Sequence, residues 1–292
     1  MPKGLREIRN RIKSVKSTGQ ITRAMQLVAS SKMKRAQDSA RAGRAYAELL
    51  GEILDTAQSK VGEFSHPLLT QREVKVRGIL LVTPDKGMAG ALNGNLIRLA
   101  AEQKDAVFVC IGRKGAQALA RSGRKVLADF PVTDRANFSE VRPAAEYLIK
   151  AFTEGTVDTV EVLFAHFKNT MVQTPRVQQL LPADSLVAQA REFRSKLGLP
   201  EPKIEDDERD MLFEPSAAAI LDQLPALFFK QAVHQAVLES KASEFSARMV
   251  AMKAATDNAK KIGAALSLEY NKARQAAITQ EILELTAGAA AQ

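Results

Sequence analysis

The chain has 292 residues, 46% of them hydrophobic, and a net charge of +9. That length builds one large domain or two modest ones, and so basic a balance points to an acidic partner. A single cysteine, Cys110, excludes an intramolecular disulfide framework and a cysteine-cluster zinc site.

His66, His166 and His234 lie far apart and share no ligand spacing, so no metal site is expected. No apolar stretch approaches the roughly 20 residues that span a bilayer. The N-terminus alternates charge with single apolar residues, which is not a signal-peptide pattern. A cytosolic or membrane-peripheral chain is expected.

From about Leu5 to Val61 the sequence reads as one very long helix. Leu5, Ile8, Ile12, Val15, Thr22, Met25, Val28 or Ala29, Met33, Ala36 and Ala40 recur at three- and four-residue steps, and no proline interrupts them. A seam of this period, sustained this long, predicts a coiled coil of roughly 80 Å. Gly19 and Gly43 weaken the helix by about 1 kcal/mol each. Twelve Lys or Arg residues between Lys3 and Arg44 face only Glu7 and Asp38. Exposed ion pairs made by such a belt are weak and screened by salt, which suits a surface that attaches and releases.

Pro67 closes this segment, and the chain changes character from about Lys75 to Pro182. "VRGILLVT", "AVFVCIG", "TVEVLFAHF" and "RVQQLLP" are short runs rich in β-branched residues, as strands are. Helical stretches "NLIRLAAEQ", "KGAQALARSG" and "SEVRPAAEYLIKAF" alternate with them, which predicts a largely parallel sheet. Cys110 sits in one of the apolar runs and reads as a core residue. "TPDKGMAGALNGN" has the strand–turn–helix order of a phosphate-binding turn. However, Gly87, Gly90 and Gly94 are spaced G-x-x-G-x-x-x-G and fit neither nucleotide fingerprint. A tight connection needing glycine dihedrals is the better account, and Asp85 and Lys86 read as turn residues. No nucleophile–base pair or paired carboxylates can be argued, so no catalytic residue and no cofactor are expected.

"KLGLPEPKIEDDERDMLFEP" follows, with three prolines and seven carboxylates, and reads as a linker or loop. From about Pro215 the pattern is helical almost to the end. Leu238, Ala242, Phe245, Met249, Met252, Thr256, Ala259, Leu266, Tyr270, Ala273 and Ala277 keep the three–four spacing, with Pro225 as the one breaker. Two long seams therefore flank one compact module. The chain that goes out along one helix returns along the other, so an antiparallel intrachain coiled coil is expected. The predicted division is 1–65 for the N-terminal helix, 73–192 for a Rossmann-like α/β module, 193–215 for the acidic loop and 216–292 for the C-terminal helix. A basic, elongated nucleic-acid-binding protein is the alternative class. The absence of Trp and the three Tyr weigh against it, since single-strand readers stack bases on aromatic rings. A nucleotide-dependent enzyme built on the central module is the third.

Three stretches, and a fourth in the turn after the first strand, carry a resemblance. "IRNRIKSVKSTGQITRAMQLVASSKMKRAQ" and "ASEFSARMVAMKAATDNA" resemble the N- and C-terminal helices of the gamma-subunit family of F-type ATP synthases. "ITQEILELTAGAAA" fits that family's terminal pattern I-T-x-E-x-x-E-x-x-x-G-A at every position, and "TPDKGMAGALNGN" is similar to its turn. The resemblance implies a non-catalytic rotor shaft. Its coiled coil would stand inside a ring of alpha and beta subunits, its α/β module would bind the epsilon subunit, and its foot would rest on the membrane c ring. Ion flow would thereby couple to ATP synthesis from the cytoplasmic face of a bacterial plasma membrane, with no nucleic acid involved. Carried over by position, Met25, Lys32, Glu244, Arg248, Arg274, Gln275, Thr279, Glu281 and Glu284 would face the alpha–beta ring. Met211, Phe213 and Glu214 would form the foot, although Met211 replaces an aromatic residue common in the family. Ala89 stands where the family commonly has Cys, and no insert with paired cysteines is present. The thiol regulation of plastid forms is therefore not expected.

Overall fold

The computed structural model describes residues 3–61, 65–182, 214 and 216–290. Its two compact units are Met1–Ser30 with Arg248–Gln292, and Ser31–Ala247. Helix α1 spans Lys3–Val61 and helix α5 spans Ala217–Ala290, and each contributes to both units.

In the first unit the N-terminal half-turns of α1 meet the C-terminal part of α5. A Cβ on Gly19 would lie 3.3 Å from the Ala259 Cβ, and one on Gly263 would lie 3.9 Å from Val15. Thr22 and Thr256 share a hydrogen bond of 2.8 Å. Moving down α1 moves up α5 by the same number of residues, so the two helices run antiparallel. Leu5, Thr22, Ala29, Met252 and Thr256 are buried in the seam. Ile8, Ile12, Val15, Met25, Leu266, Tyr270, Ala273 and Ala277 are half-buried. The choice at the middle of the seam falls on Ala29, at 2% exposure, while Val28 is 55% exposed. Gly263, absent from the predicted seam, belongs to it, because glycine allows Val15 to sit against the opposite backbone.

The second unit holds a five-stranded sheet. In chain order its elements are β1 (Arg77–Val82), α2 (Leu92–Glu102), β2 (Ala106–Ile111), α3 (Arg113–Arg121), β3 (Val126–Phe130), α4 (Phe138–Thr153), β4 (Thr159–Phe167) and β5 (Gln173–Leu181). The strand order is β3-β2-β1-β4-β5. The first four strands are mutually parallel, and β5 returns antiparallel to β4. The alternation of side chains sorts each strand onto two cores. Ile79, Leu81, Phe108, Cys110 and Leu163 pack with Leu92, Leu96 and Leu119 of α2 and α3. Leu80, Val82, Val109, Ile111, Val162 and Phe164 pack with Val141, Leu148 and Phe152 of α4 and with Phe229, Val233 and Val237 of α5. Both faces are covered, which is why β1, β2 and β4 read as continuous apolar runs.

Strand β3 is not apparent in the sequence. "VLADF" is five residues long, pairs on one side only, and is nowhere fully buried, so it lacks the apolar run that marks the inner strands. Helix α5 is continuous through Pro225, the one breaker in its sequence.

Candidate functional site

The carboxyl ends of the parallel strands are where an open α/β sheet presents ligand-binding groups. Here the chain fills much of that edge itself. The Asp85 carboxylate accepts the backbone N–H of Arg113 at 2.9 Å, and the Thr83 hydroxyl accepts that of Gly115 at 2.9 Å. The first turn of α3 is thus capped by β1's own continuation. Gly112, at φ +100°, makes this possible, since a Cβ there would lie 1.8 Å from the Thr83 carbonyl oxygen. Of Gly87 and Gly90 in the turn after β1 and Gly94 in the first turn of α2, only Gly90 takes a positive φ, and Met88 takes another at +61°. The sequence drew attention to Gly87, Gly90 and Gly94, whereas Gly112 carries the strictest steric demand.

Beside this edge lies a charged cluster from three elements. Lys32 of α1 forms an ion pair with Asp134, in the loop between β3 and α4. Its ammonium lies 5.7 Å from the centre of the buried Phe245 ring of α5. Lys241 and Glu244 of α5 form a second pair at 3.6 Å, both side chains 5% exposed. Burial works to raise the Asp134 carboxyl. The hydrogen bond from Lys32 and the charges of Lys32, Lys241 and Lys86 outweigh it and hold the group below the ordinary carboxylate range. The loop carrying Asp134 is pinned on both sides. Thr133 donates its N–H and hydroxyl to Glu140 at 2.8 and 3.0 Å, and His234 Nε2 donates to the Ala136 carbonyl at 2.8 Å. Ala136 itself sits at φ +48°.

The expected contact residues separate between the two units. Lys32 and Glu244 lie in the second unit, where each pairs within the chain. Met25 is half-buried in the first unit, and Arg248 is 8% exposed. Arg274, Gln275, Thr279, Glu281 and Glu284 are all exposed on α5, and every described side chain from Glu281 to Ala287 is exposed. Met211 and Phe213 lie outside the described residues, and Glu214 is exposed. Asp134 was missed in the sequence because its partner is 102 positions away. Only the spacing of Lys241 and Glu244, three apart on one helix, could have been read as a pair.

The first unit also carries an open groove of about 760 Å³ between its two helices. Val15, Gly19, Ala259 and Gly263 line it, with Lys16, Arg23 and Lys260 among its cations. Exposed Leu27, at 58%, contributes to the same groove. Among the described residues no helix is long and apolar enough to cross a membrane.

A family model described as ATP synthase matches residues 4–292. The ATP synthase gamma chain of Opitutus terrae is 53% identical over 283 residues, covering 97% of this chain and 96% of the relative. That of Akkermansia muciniphila is 45% identical over 286 residues, covering 97% of each. Among solved structures, the rotor of Euglena gracilis mitochondrial ATP synthase aligns with a TM-score of 0.65 at 18% identity, covering 95% of this chain and 100% of that one. A chain from the central stalk and c-ring structure of the Tetrahymena thermophila mitochondrial enzyme aligns with a TM-score of 0.56 at 25% identity, over 80% and 99%. With a family match over nearly its whole length, this chain belongs to the ATP synthase gamma-chain family.

Proposed function

We propose that the chain is the central rotor shaft of an F1Fo ATP synthase, coupling rotation of a membrane c ring to the conformational cycle of the alpha and beta subunits. The observation that carries this reading is the antiparallel packing of α1 against α5, in register from Val15–Gly263 to Thr22–Thr256, in a chain that matches gamma chains end to end. A shaft needs an apolar seam for stiffness, supplied by burial at about 25 cal/mol per Å². It also needs an exterior whose contacts stay weak enough to be remade at each step.

In this reading the subunit does no bond chemistry. Asp85 and Thr83 already hold the start of α3, which supports a structural role for the turn. Met25, Lys32, Glu244 and Arg248 serve the lower contacts with the ring, and Arg274, Gln275, Thr279, Glu281 and Glu284 the upper ones. Met211, Phe213 and Glu214 form the foot on the c ring, within the 193–215 segment, and the α/β module of 73–192 meets the epsilon subunit. The complex lies at the cytoplasmic face of a bacterial plasma membrane, with this subunit peripheral.

Reconstitution tests the proposal. The purified chain alone is expected to hydrolyse no ATP, and adding it to alpha and beta subunits is expected to raise their turnover. Turnover indifferent to its presence would show the coupling account to be wrong.

A further inference from the structure

We infer that the groove between α1 and α5 binds a small amphiphilic anion of the fatty-acid class, with the carboxylate between Lys16 and Lys260 and the chain laid toward Ala24 and Leu27. The site belongs to the chain itself and does not rest on the rotor reading.

The groove has the size and shape of a ligand site. Small residues stand where the two helices touch: Gly19 against Ala259, and Gly263 against Val15. They leave a trough of about 760 Å³, within the range of roughly 300–1,000 Å³ of small-molecule sites. Its lining runs from Ile12 to Leu27 on α1 and from Thr256 to Ser267 on α5, roughly 22 and 16 Å of helix. A long trough of this kind fits an extended alkyl chain. It offers little to a polar ligand, since the Thr256 hydroxyl is already engaged by Thr22 and the Met252 carbonyl.

The cations of the rim have no counter-ions. Lys16, Arg23 and Lys260 line the groove and no carboxylate does. Helix α1 carries none between Glu7 and Asp38, and Asp257 and Glu269 of α5 are exposed and outside the lining. Among the described residues none of the three cations forms an ion pair, and Arg23 donates to the neutral Gln26 side chain at 3.4 Å. Because Gly19 stands opposite Ala259, Lys260 is level with Thr18, two residues and roughly 3 Å along the axis from Lys16. One carboxylate can sit between both. A lysine lays its stem along apolar surface and keeps its head in water, which suits a charged rim above an apolar floor.

The direction of the chain follows from what is bare. Ala24 and Leu27 are exposed at one end of the groove, Leu27 at 58%. Ile12 at the other end is half-buried in the seam. From Lys16 to Leu27 the helix runs roughly 16 Å, room for a medium-length fatty acid to cover the exposed leucine.

Calorimetric titration of the full chain with dodecanoate, kept below its micelle threshold, tests the site. One saturable site per chain is expected. Affinity should rise about three- to tenfold for every two methylenes added between octanoate and dodecanoate. Dodecyltrimethylammonium, the same tail on a cation, should not bind. Lys16→Gln with Lys260→Gln should weaken dodecanoate binding about three- to tenfold. Lys13→Gln with Lys261→Gln, exposed positions outside the lining, changes net charge equally and should leave binding as it was. Ala24→Phe fills the trough from its exposed rim and should weaken binding while circular dichroism shows the helices intact. Absence of saturable binding, equal binding of the cationic amphiphile, undiminished affinity in the Lys16–Lys260 variant, or an equal loss from the Lys13–Lys261 pair overturns the inference and leaves the groove to a protein partner. A chain that binds dodecanoate as expected yet does not change the turnover of alpha and beta subunits keeps this site and loses the rotor reading.

Discussion

His234 shows how a single residue links the core to the charged edge. Burial pushes its imidazole below the ordinary value of 6.5, and the hydrogen bond to the Ala136 carbonyl only partly opposes this. The folded chain therefore takes up a proton at lower pH than the unfolded chain. Above about pH 6.5 both states are neutral here and the contribution to stability is complete. As pH falls below that value the unfolded state binds the proton first, and stability is lost until the folded value is passed. The urea midpoint of the parent chain should fall between pH 7.5 and 5.5. His234→Gln keeps a nitrogen donor for Ala136 without the titration, so its midpoint should fall less over the same range. An identical pH dependence in both chains would remove His234 from the account. Cys110 lies at the legible extreme: its apolar neighbours in sequence announced a core residue. It is fully buried, and burial with the nearby Asp129 charge pushes its thiol up to about 12. Gly112 and Asp134 lie at the other extreme, because their roles depend on Thr83 and Lys32, which only folding brings to them.

At the scale of elements, what repeats locally was legible and what depends on a neighbour was not. The three–four period placed α1 and α5 and nearly all of their seam, because each turn of a long helix repeats the same demand for a buried side chain. The inner strands declared themselves through burial on both faces. Edge strand β3 did not, and neither did the antiparallel return of β5, since pairing direction leaves no trace in composition. The small seam residues make a sharper claim. At Gly19 the helices are already so close that a Cβ would sit 3.3 Å from Ala259. Ala259→Leu should therefore force the helices apart, at about 1–3 kcal/mol. By contrast, Thr22→Val should cost about 1 kcal/mol or less, because the Thr256 hydroxyl still donates to the Met252 carbonyl at 2.8 Å. Denaturant unfolding followed by circular dichroism measures both. A leucine at 259 that left stability unchanged would mean the seam has slack that the Gly19–Ala259 contact denies.

For the whole molecule, function divides between residues that hold the chain together and residues held for something else. The exposed end of α5 belongs to the second kind. From Glu281 to Ala287 every described side chain is exposed, including Ile282, Leu283 and Leu285 at 55%, 57% and 74%. Apolar side chains left bare within about one helical turn contribute nothing to the isolated fold, and they favour a surface that covers them in an assembly. Deleting Glu281–Gln292 should then leave the denaturant midpoint of the isolated chain unchanged, within the roughly 0.5 kcal/mol expected for surface changes. In the reconstituted complex the same deletion spares Arg274, Gln275 and Thr279 but removes Glu281, Glu284 and the apolar tip. Ion pumping per ATP hydrolysed should fall. A destabilised isolated chain would place these residues in the fold rather than in the coupling. Full coupling without them would show that the contacts up to Thr279 transmit the torque by themselves.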